Sequence, residues 1–407
     1  MRILYLASFF RPYSLGGAEI STELFARKLA RENEIFVLTP NYGSFKKITE
    51  KEEGLTIYRF PFPVKFRRGI IGFLENIFFV TYLFLWTLLV SKKFRIQLIH
   101  IQNDSFIPGG GLAAMLLKKP YLITVRDHGF LDNLSGRLGK DDSRLSYPQR
   151  IYSRLHGKKK LLFPVVLPLY YLNLRLRLSS FRRSTKLVCV SGYMARRVTK
   201  DLNLESKRVD VVYNLKPDTP KIKFKAKEGK IFLYLGRLCR PKGVDLLLDG
   251  MKEIVKKHPE WKLWLVGNTS VDHYRKLAED LGIEKNVEFF GWQPYEKIIE
   301  FYERSFAVIM PSLGEESLSR VLIEAGSLGK PVVTTYKGGS SEVVIDKKTG
   351  VLIRDITPNG LAEGMEYIIR NPGKAREMGK NIKKLAGNLF DPEKNLKTIS
   401  KIYSELL

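Results

Sequence analysis

The sequence predicts an α/β chain built as two doubly wound domains with parallel sheets. Three observations predict it. Short β-branched runs alternate with longer helical patterns along most of the chain. Several of those runs are apolar almost throughout, as expected of strands covered on both faces. One Pro- and Lys-rich stretch with no apolar period divides the series in two. A length of 407 residues with 44% hydrophobic content suits two ordinary domains with sizeable cores.

The first series of strands reads RILYLA (2–7), EIFVLT (34–39), LTIYRF (55–60), QLIHIQ (97–102), YLITV (121–125), KLVCV (186–190) and VDVVY (209–213). The second reads KIFLYLG (230–236), KLWLVG (262–267), NVEFFG (286–291), FAVIMP (306–311) and PVVTT (331–335). The expected organisation is a first domain over 1–215, a linker at 216–229, a second domain over 230–389 and a C-terminal helix over 390–407. Asp391 is placed to cap that helix, and Pro392 suits its first turn.

The net charge is +27 and is unevenly placed. Residues 1–200 hold 34 Lys and Arg against 13 Asp and Glu, whereas 201–407 hold 35 against 29. From Ser143 to Lys200 there are fourteen basic residues and no acidic one. Such a block calls for an anionic partner, a membrane surface or a nucleic acid, unless it is only a solvated face. IFFVTYLFLWTLLV (77–90) is short of the roughly 20 residues a spanning helix needs. It lies between strands of one sheet, so it is either a core helix or a surface-lying one. With KKKLLFPVVLPLYYLNLRLRL (158–178) it could form an apolar, basic-rimmed face for peripheral membrane contact. The two cysteines and five histidines show no disulfide framework and no metal-ligand spacing, which favours a reducing, cytosolic setting.

Candidate chemistry gathers at strand ends. In YLGRLCRPKGVDLLLDG (234–250), Arg237 and Lys242 occupy the loop between a strand and a helix that starts near Gly243. Two cations there can hold a diphosphate; they can also be plain surface charges. In PSLGEESLSRVLIEAGSLGKPVV (311–333), a helix is expected from near Leu318. Its apolar face would hold Leu318, Val321, Leu322, Ala325 and Leu328, with Glu324 at the edge and Glu316 just before the helix. Carboxylates so placed can accept hydrogen bonds from sugar hydroxyls. Alternatively, Glu316 complements the helix dipole and Glu324 is solvated. Gly16 and Gly17 open another helix after the first strand, with its amides available to an anion.

Taken as a set and in this order, the motifs resemble the family 4 retaining glycosyltransferases. They are Gly-Gly-Ala-Glu (16–19), LITVRDHG (122–129), VSGYM (190–194), VVYN (211–214), GRL…KG (236–243), LVGN (265–268), VEFFGW (287–292), PS…E-x7-E-A…GKPVV (311–333) and GGSSEVV…TGVLI (338–353). The resemblance implies the GT-B fold, two Rossmann-like domains facing across a cleft, with the last helix packed back on the first. It implies a nucleotide-diphosphate sugar as donor, no required metal or other cofactor, and transfer with retention. Arg237 and Lys242 would hold the diphosphate, Glu316 the donor sugar and Glu324 the ribose. Ser317, Leu318 and Ser319 would line the sugar, Gly267, Gly291 and Trp292 the nucleotide, and Gly16 and Gly17 would approach from the other domain. Asp127 and His128 would line the acceptor side. The chain departs from the family pattern in having Ser317-Leu318-Ser319 where glycines are usual, Arg126 where a His often stands and Leu215 after Asn214.

The basic, apolar face then points to a lipid-linked or membrane-surface glycan as acceptor, at the cytoplasmic face of an anionic membrane. No nucleic acid is expected. The alternative is a non-catalytic, basic α/β protein that binds membrane or nucleic acid. A nicotinamide enzyme has only Gly109, Gly111 and Ala114 in its favour, too far from the preceding strand, and no G-x4-G-K-[ST] occurs.

Overall fold

The computed structural model describes residues 1–13, 16–63, 71–127, 146–153, 160–161, 163–217 and 229–407, with only the backbone at 71–77, 147, 150 and 153. The chain divides into two compact units: Met1–Leu215 with Pro392–Leu407, and Lys216–Asp391. Of the expected linker, 218–228 lie outside the described residues.

In the first unit the order is β1 (Arg2–Leu6), α1 (Gly17–Leu29), β2 (Glu34–Tyr42), β3 (Ile48–Glu52), β4 (Leu55–Phe62), α2 (Ile71–Lys93), β5 (Leu98–Ile101), α3 (Ile107–Leu116), β6 (Tyr121–Val125), α4 (Tyr147–Ser153), α5 (Phe163–Arg183), β7 (Lys186–Cys189), α6 (Gly192–Leu202) and β8 (Val209–Val211). The strands form one sheet in the order β3-β4-β2-β1-β5-β6-β7-β8. It is parallel except for β3, which pairs antiparallel with β4 at the edge. Alternation along β1 shows why both faces are apolar. Ile3, Tyr5 and Ala7 pack into one core layer, and Leu4 and Leu6 into the other.

The last helix of the chain belongs to this unit and packs beside α1. Its Ile399, Ile402 and Tyr403 join the layer of Ile3 and Tyr5. A buried hydrogen-bond chain fixes it to the sheet. The Tyr5 and Tyr403 hydroxyls share a hydrogen bond of 2.7 Å, Tyr403 meets His100 Nδ1 at 2.7 Å, and His100 Nε2 meets Thr124 Oγ1 at 2.6 Å. Burial and the nearby Arg126 guanidinium push the His100 pKa well below its ordinary value, so the ring is neutral.

On the opposite layer α2, α3 and α5 lie side by side. The glycines of IPGGGLAAML are what allow it. A Cβ on Gly109 would lie 2.5 Å from the Val80 carbonyl of α2, and one on Gly111 would lie 2.3 Å from Ser180 Oγ of α5. These glycines are therefore helix-packing positions inside α3 and not a phosphate loop. Among the described residues no helix is long and apolar enough to cross a membrane.

The second unit runs β9 (Ile231–Leu235), α7 (Val244–Lys257), β10 (Lys262–Val266), α8 (Val271–Asp280), β11 (Val287–Gly291), α9 (Tyr295–Arg304), β12 (Ala307–Met310), α10 (Arg320–Leu328), β13 (Val332–Thr335), β14 (Val351–Ile353), α11 (Pro358–Arg370) and α12 (Pro372–Leu389); α13 (Pro392–Glu405) is the helix that returns to the first unit. Its sheet is parallel throughout, in the order β11-β10-β9-β12-β13-β14.

Candidate functional site

The strand order of the second sheet sets where a ligand can bind. From β9 the chain moves outward to β10 and β11, and then returns to β12 on the other flank of β9. The loops leaving the carboxyl ends of β9 and β12 therefore diverge, and ligands of open α/β sheets bind in such crevices. The sequence places residues 236–243 in one loop and 311–319 in the other.

The two loops are stitched through their backbones. After β9, Tyr234 donates its hydroxyl to the Arg237 carbonyl at 2.7 Å. A 3-10 turn at Arg240–Lys242 then ends on Gly243, with φ 73°. A Cβ there would lie 1.8 Å from the Pro311 carbonyl oxygen, so only glycine fits. The Leu313 and Gly314 amides both donate to the Pro241 carbonyl, at 3.0 and 3.1 Å. Gly267 brings the exit of β10 against the same loop, because a Cβ there would lie 1.9 Å from the Gly236 carbonyl.

Across this seam Lys242 Nζ donates to Glu316 Oε1 at 2.5 Å. Ser312 Oγ donates to the same oxygen at 2.8 Å. Ser312 is itself fixed by Thr335, whose hydroxyl donates to the Ser312 carbonyl at 2.6 Å. The Glu316 carbonyl accepts from the Gly339 amide at 2.7 Å. The Lys242 and Glu316 side chains are 29% and 16% exposed, so the pair is partly desolvated yet reachable. Arg237, in the same loop, is exposed. The arrangement offers two cations for an anion and one carboxylate for hydroxyls, held by neighbours rather than by the ligand.

The helix after Glu316 begins at Arg320, two residues later than the periodicity predicts. Ser319 is its N-cap and has extended backbone, which keeps 316–319 out of the helix. Leu318 is buried, while Ser317 and Ser319 are partly buried. Glu324, which the periodicity places at the edge of the apolar face and which could be solvated there, is buried. Arg320 Nε donates to its Oε1 and the Tyr302 hydroxyl to its Oε2, each at 3.1 Å. Burial pushes the Glu324 carboxyl upward, and Arg320 and Tyr302 counter it. Gly291 has φ 66° with open space around it, and Trp292 is 69% exposed. Ser312 stands in the PS…E motif, which gives it no role, and Tyr302 and Thr335 lie outside the motifs; the Arg320–Glu324 spacing of four on a helix is the one visible signal of these contacts.

The first sheet reverses its order between β1 and β5. Gly16 caps α1, and Glu19, in the first turn, accepts from the Gly16 amide. That carboxylate already takes one of the donors expected to face an anion. Arg126, in the place of the family's His, turns inward. Its Nη1 donates to Asn214 Oδ1 at 2.6 Å and its Nη2 to Gln102 Oε1 at 2.8 Å. Asp127 is exposed and follows β6, which runs beside the strand that leads to Asp104. Burial first, and the Asp127 charge second, push the Asp104 carboxyl up to about 8, against the pull of Arg177. His128 lies outside the described residues. Among the described residues no group of three or more His, Cys, Asp or Glu is placed to hold a metal ion.

Two family models together match residues 15–385 of the chain. "Glycosyltransferase Family 4" matches residues 15–215, and "Glycosyl transferases group 1" matches residues 216–385. An uncharacterized glycosyltransferase of Methanocaldococcus jannaschii is 27% identical over 341 residues, covering 78% of this chain and 92% of its own. Among solved structures, sucrose-phosphate synthase from Thermosynechococcus elongatus has a TM-score of 0.77 at 19% identity, covering 100% of this chain and 98% of its own. The HepE protein of Anabaena in complex with UDP has a TM-score of 0.72 at 18% identity, covering 100% of both chains. With both halves matched and the GT-B fold shared over the full length, the chain belongs to the family 4 glycosyltransferases.

Proposed function

We propose that this glycosyltransferase moves a hexose from a nucleotide-diphosphate sugar to a lipid-linked or membrane-surface glycan, with retention of anomeric configuration. The observation that carries the donor side is the Lys242–Glu316 pair at the switch point of the second sheet. Negative charge grows on the leaving phosphate as the glycosyl bond breaks, and Arg237 and Lys242 stabilise it where it develops. Glu316, already oriented by Ser312, exchanges its Lys242 contact for a donor-sugar hydroxyl when the diphosphate draws Lys242 away. Glu324 reaches the ribose only if Arg320 or Tyr302 yields one carboxylate oxygen, or else it supports the pocket from behind. Solved structures of HepE hold UDP and UDP-glucose, which supports a nucleotide sugar for this relative of the same fold. No metal is required in this reading.

The acceptor side rests on Asp127 and on the apolar, basic surface of the first unit. In this reading the enzyme works peripherally at the cytoplasmic face of a membrane, in polysaccharide or glycolipid synthesis. Nucleotide release from UDP-, GDP- and ADP-sugars in the presence of membrane lipid extract tests it. Turnover of one donor is expected, and an α-linked donor should give an α-linked product by NMR. Failure to turn over any donor with any acceptor would refute the donor assignment, and an inverted product would refute retention.

A further inference from the structure

The chain that leaves β1 toward α1 is gripped from β4. Alternation along LTIYRFPF turns Leu55 and Ile57 to the layer of α1, and Arg59 stands next in that row. Arg59 is 1% exposed. Its Nη1 donates to the Phe10 carbonyl at 3.3 Å, and its Nη2 donates to the Arg11 carbonyl. Its Nε and Nη2 also donate to the two oxygens of Glu50, at 2.6 and 3.2 Å. The guanidinium lies 5.7 Å from the centre of the Tyr13 ring. Glu50 comes from β3. It pairs with Ile57 in the register, which puts it diagonal to Arg59 on the same face.

The same stretch of chain is tied to α1. Arg11 Nε pairs with Glu23 Oε2 at 3.2 Å, and Glu23, itself buried, also takes Arg27 Nε at 2.8 Å. Arg27 pairs in turn with Glu52 of β3. Stability alone does not call for a cation at Arg59. Apolar side chains of similar volume are often as stabilising as a buried ion pair, because desolvating the charges is costly. What the guanidinium adds is geometry. One planar group with five donors holds two successive carbonyls and a carboxylate, which neither Lys nor Met can reproduce.

We propose that Arg59, oriented by Glu50, is a positioning residue for glycosyl transfer: it fixes the Phe10–Arg11 backbone and, through Arg11 and Glu23, sets it against α1, the helix that opens on Gly16 and Gly17. This rests on the reading of those two glycines as donor-facing. β3, exposed along most of its length, brings Glu50 to this position.

The test compares wild type with Arg59→Met, Arg59→Lys, Glu50→Ala and the double variant Arg59→Met with Glu50→Ala, using the donor the screen identifies. Rates are taken well below each melting midpoint, where a residue that serves stability alone leaves kcat at the wild-type value. Arg59→Met and Arg59→Lys should each lower kcat at least about tenfold while the donor KM changes less than about threefold, because a small misplacement at the reacting groups acts on the transition state. Glu50→Ala should lower kcat by a smaller factor. The double variant should be no slower than Arg59→Met, because Glu50 acts through Arg59. A wild-type kcat in folded Arg59→Met, or effects that multiply in the double variant, overturns the proposal. If the Arg59 variants do not fold, Glu50→Ala decides alone, since that side chain is 40% exposed on an edge strand, and a wild-type kcat there overturns the proposal. Amide hydrogen exchange gives a readout that needs no substrate. The Tyr13 amide donates to the Phe10 carbonyl at 3.1 Å and should exchange faster in Arg59→Met than in wild type, while amides of the second unit keep their rates. Unchanged exchange at Tyr13 overturns the grip on this backbone. Faster exchange in a protein whose wild type turns over no donor upholds the grip and refutes instead the transfer reading on which the positioning role depends.

Discussion

Lys242 and Glu316 sit 2.5 Å apart with a third partner, Ser312, on the same oxygen. Removing either leaves the other partly buried and short of a charge. Lys242→Ala should lower kcat/KM at least about tenfold, because a fixed cation at a developing phosphate charge is worth more than about 1.4 kcal/mol. Glu316→Gln should do the same while raising the KM for the donor little, if its contact strengthens in the transition state. Both proteins should melt close to wild type. Wild-type rates in both would remove these residues from the site. The strand-end positions of Lys242 and Glu316 were legible in the sequence from the strand pattern. The surroundings of Glu324 were not, because they include Tyr302, twenty-two residues away and on another helix. A periodicity places a side chain on a helix face but does not say what that face meets.

At the scale of elements, the buried parallel strands were legible because they are apolar on both faces. The exceptions are edge strands. β3 reads ITEKE, exposed along most of its length, and it owes its existence to antiparallel pairing with β4 rather than to burial. β14 is three residues long and closes the far edge. α10 starts later than its periodicity predicts: Ser319 is extended, and the Glu316 carbonyl is engaged by the Gly339 amide, a tertiary contact outside the helix. The glycines of α3 give the sharpest prediction here. Gly109→Ala puts a methyl 2.5 Å from a backbone oxygen of α2, which cannot rotate away. Overpacking of this kind costs about 1–3 kcal/mol, and about 2–4 °C of melting midpoint per kcal/mol for a unit of this size. Gly387→Ala is the control. It lies within α12 with nothing within 4 Å, and should be neutral or stabilise by up to about 1 kcal/mol. A melt that falls equally in both would show that the α2–α3 contact does not depend on glycine.

For the whole molecule, the charge asymmetry becomes a surface argument once the helices are placed. α2 exposes Phe78, Leu85 and Leu89, and α5 exposes Val165, Tyr171 and Leu172. Both helices lie on the same layer of the first sheet, with α3 between them. Lys92 and Lys93 of α2, Lys118 after α3, and Arg175 and Arg182 of α5 are exposed on the same group of helices. Large apolar groups rimmed by cations match a bilayer interface with anionic headgroups, where each Lys or Arg near the surface adds about 1 kcal/mol. The first unit should therefore bring the protein to vesicles containing anionic lipid. Flotation at low salt should carry most of it to the top of the gradient. Raising the salt toward about 1 M, where the Debye length falls to about 3 Å, should release a large part. Leu85→Ser with Leu89→Ser should weaken binding at both salt concentrations, because it removes the apolar part and leaves the charge. Neutral vesicles should bind poorly under every condition. If wild type fails to float with anionic vesicles at low salt, the surface is a solvated one and the acceptor must be sought away from the membrane.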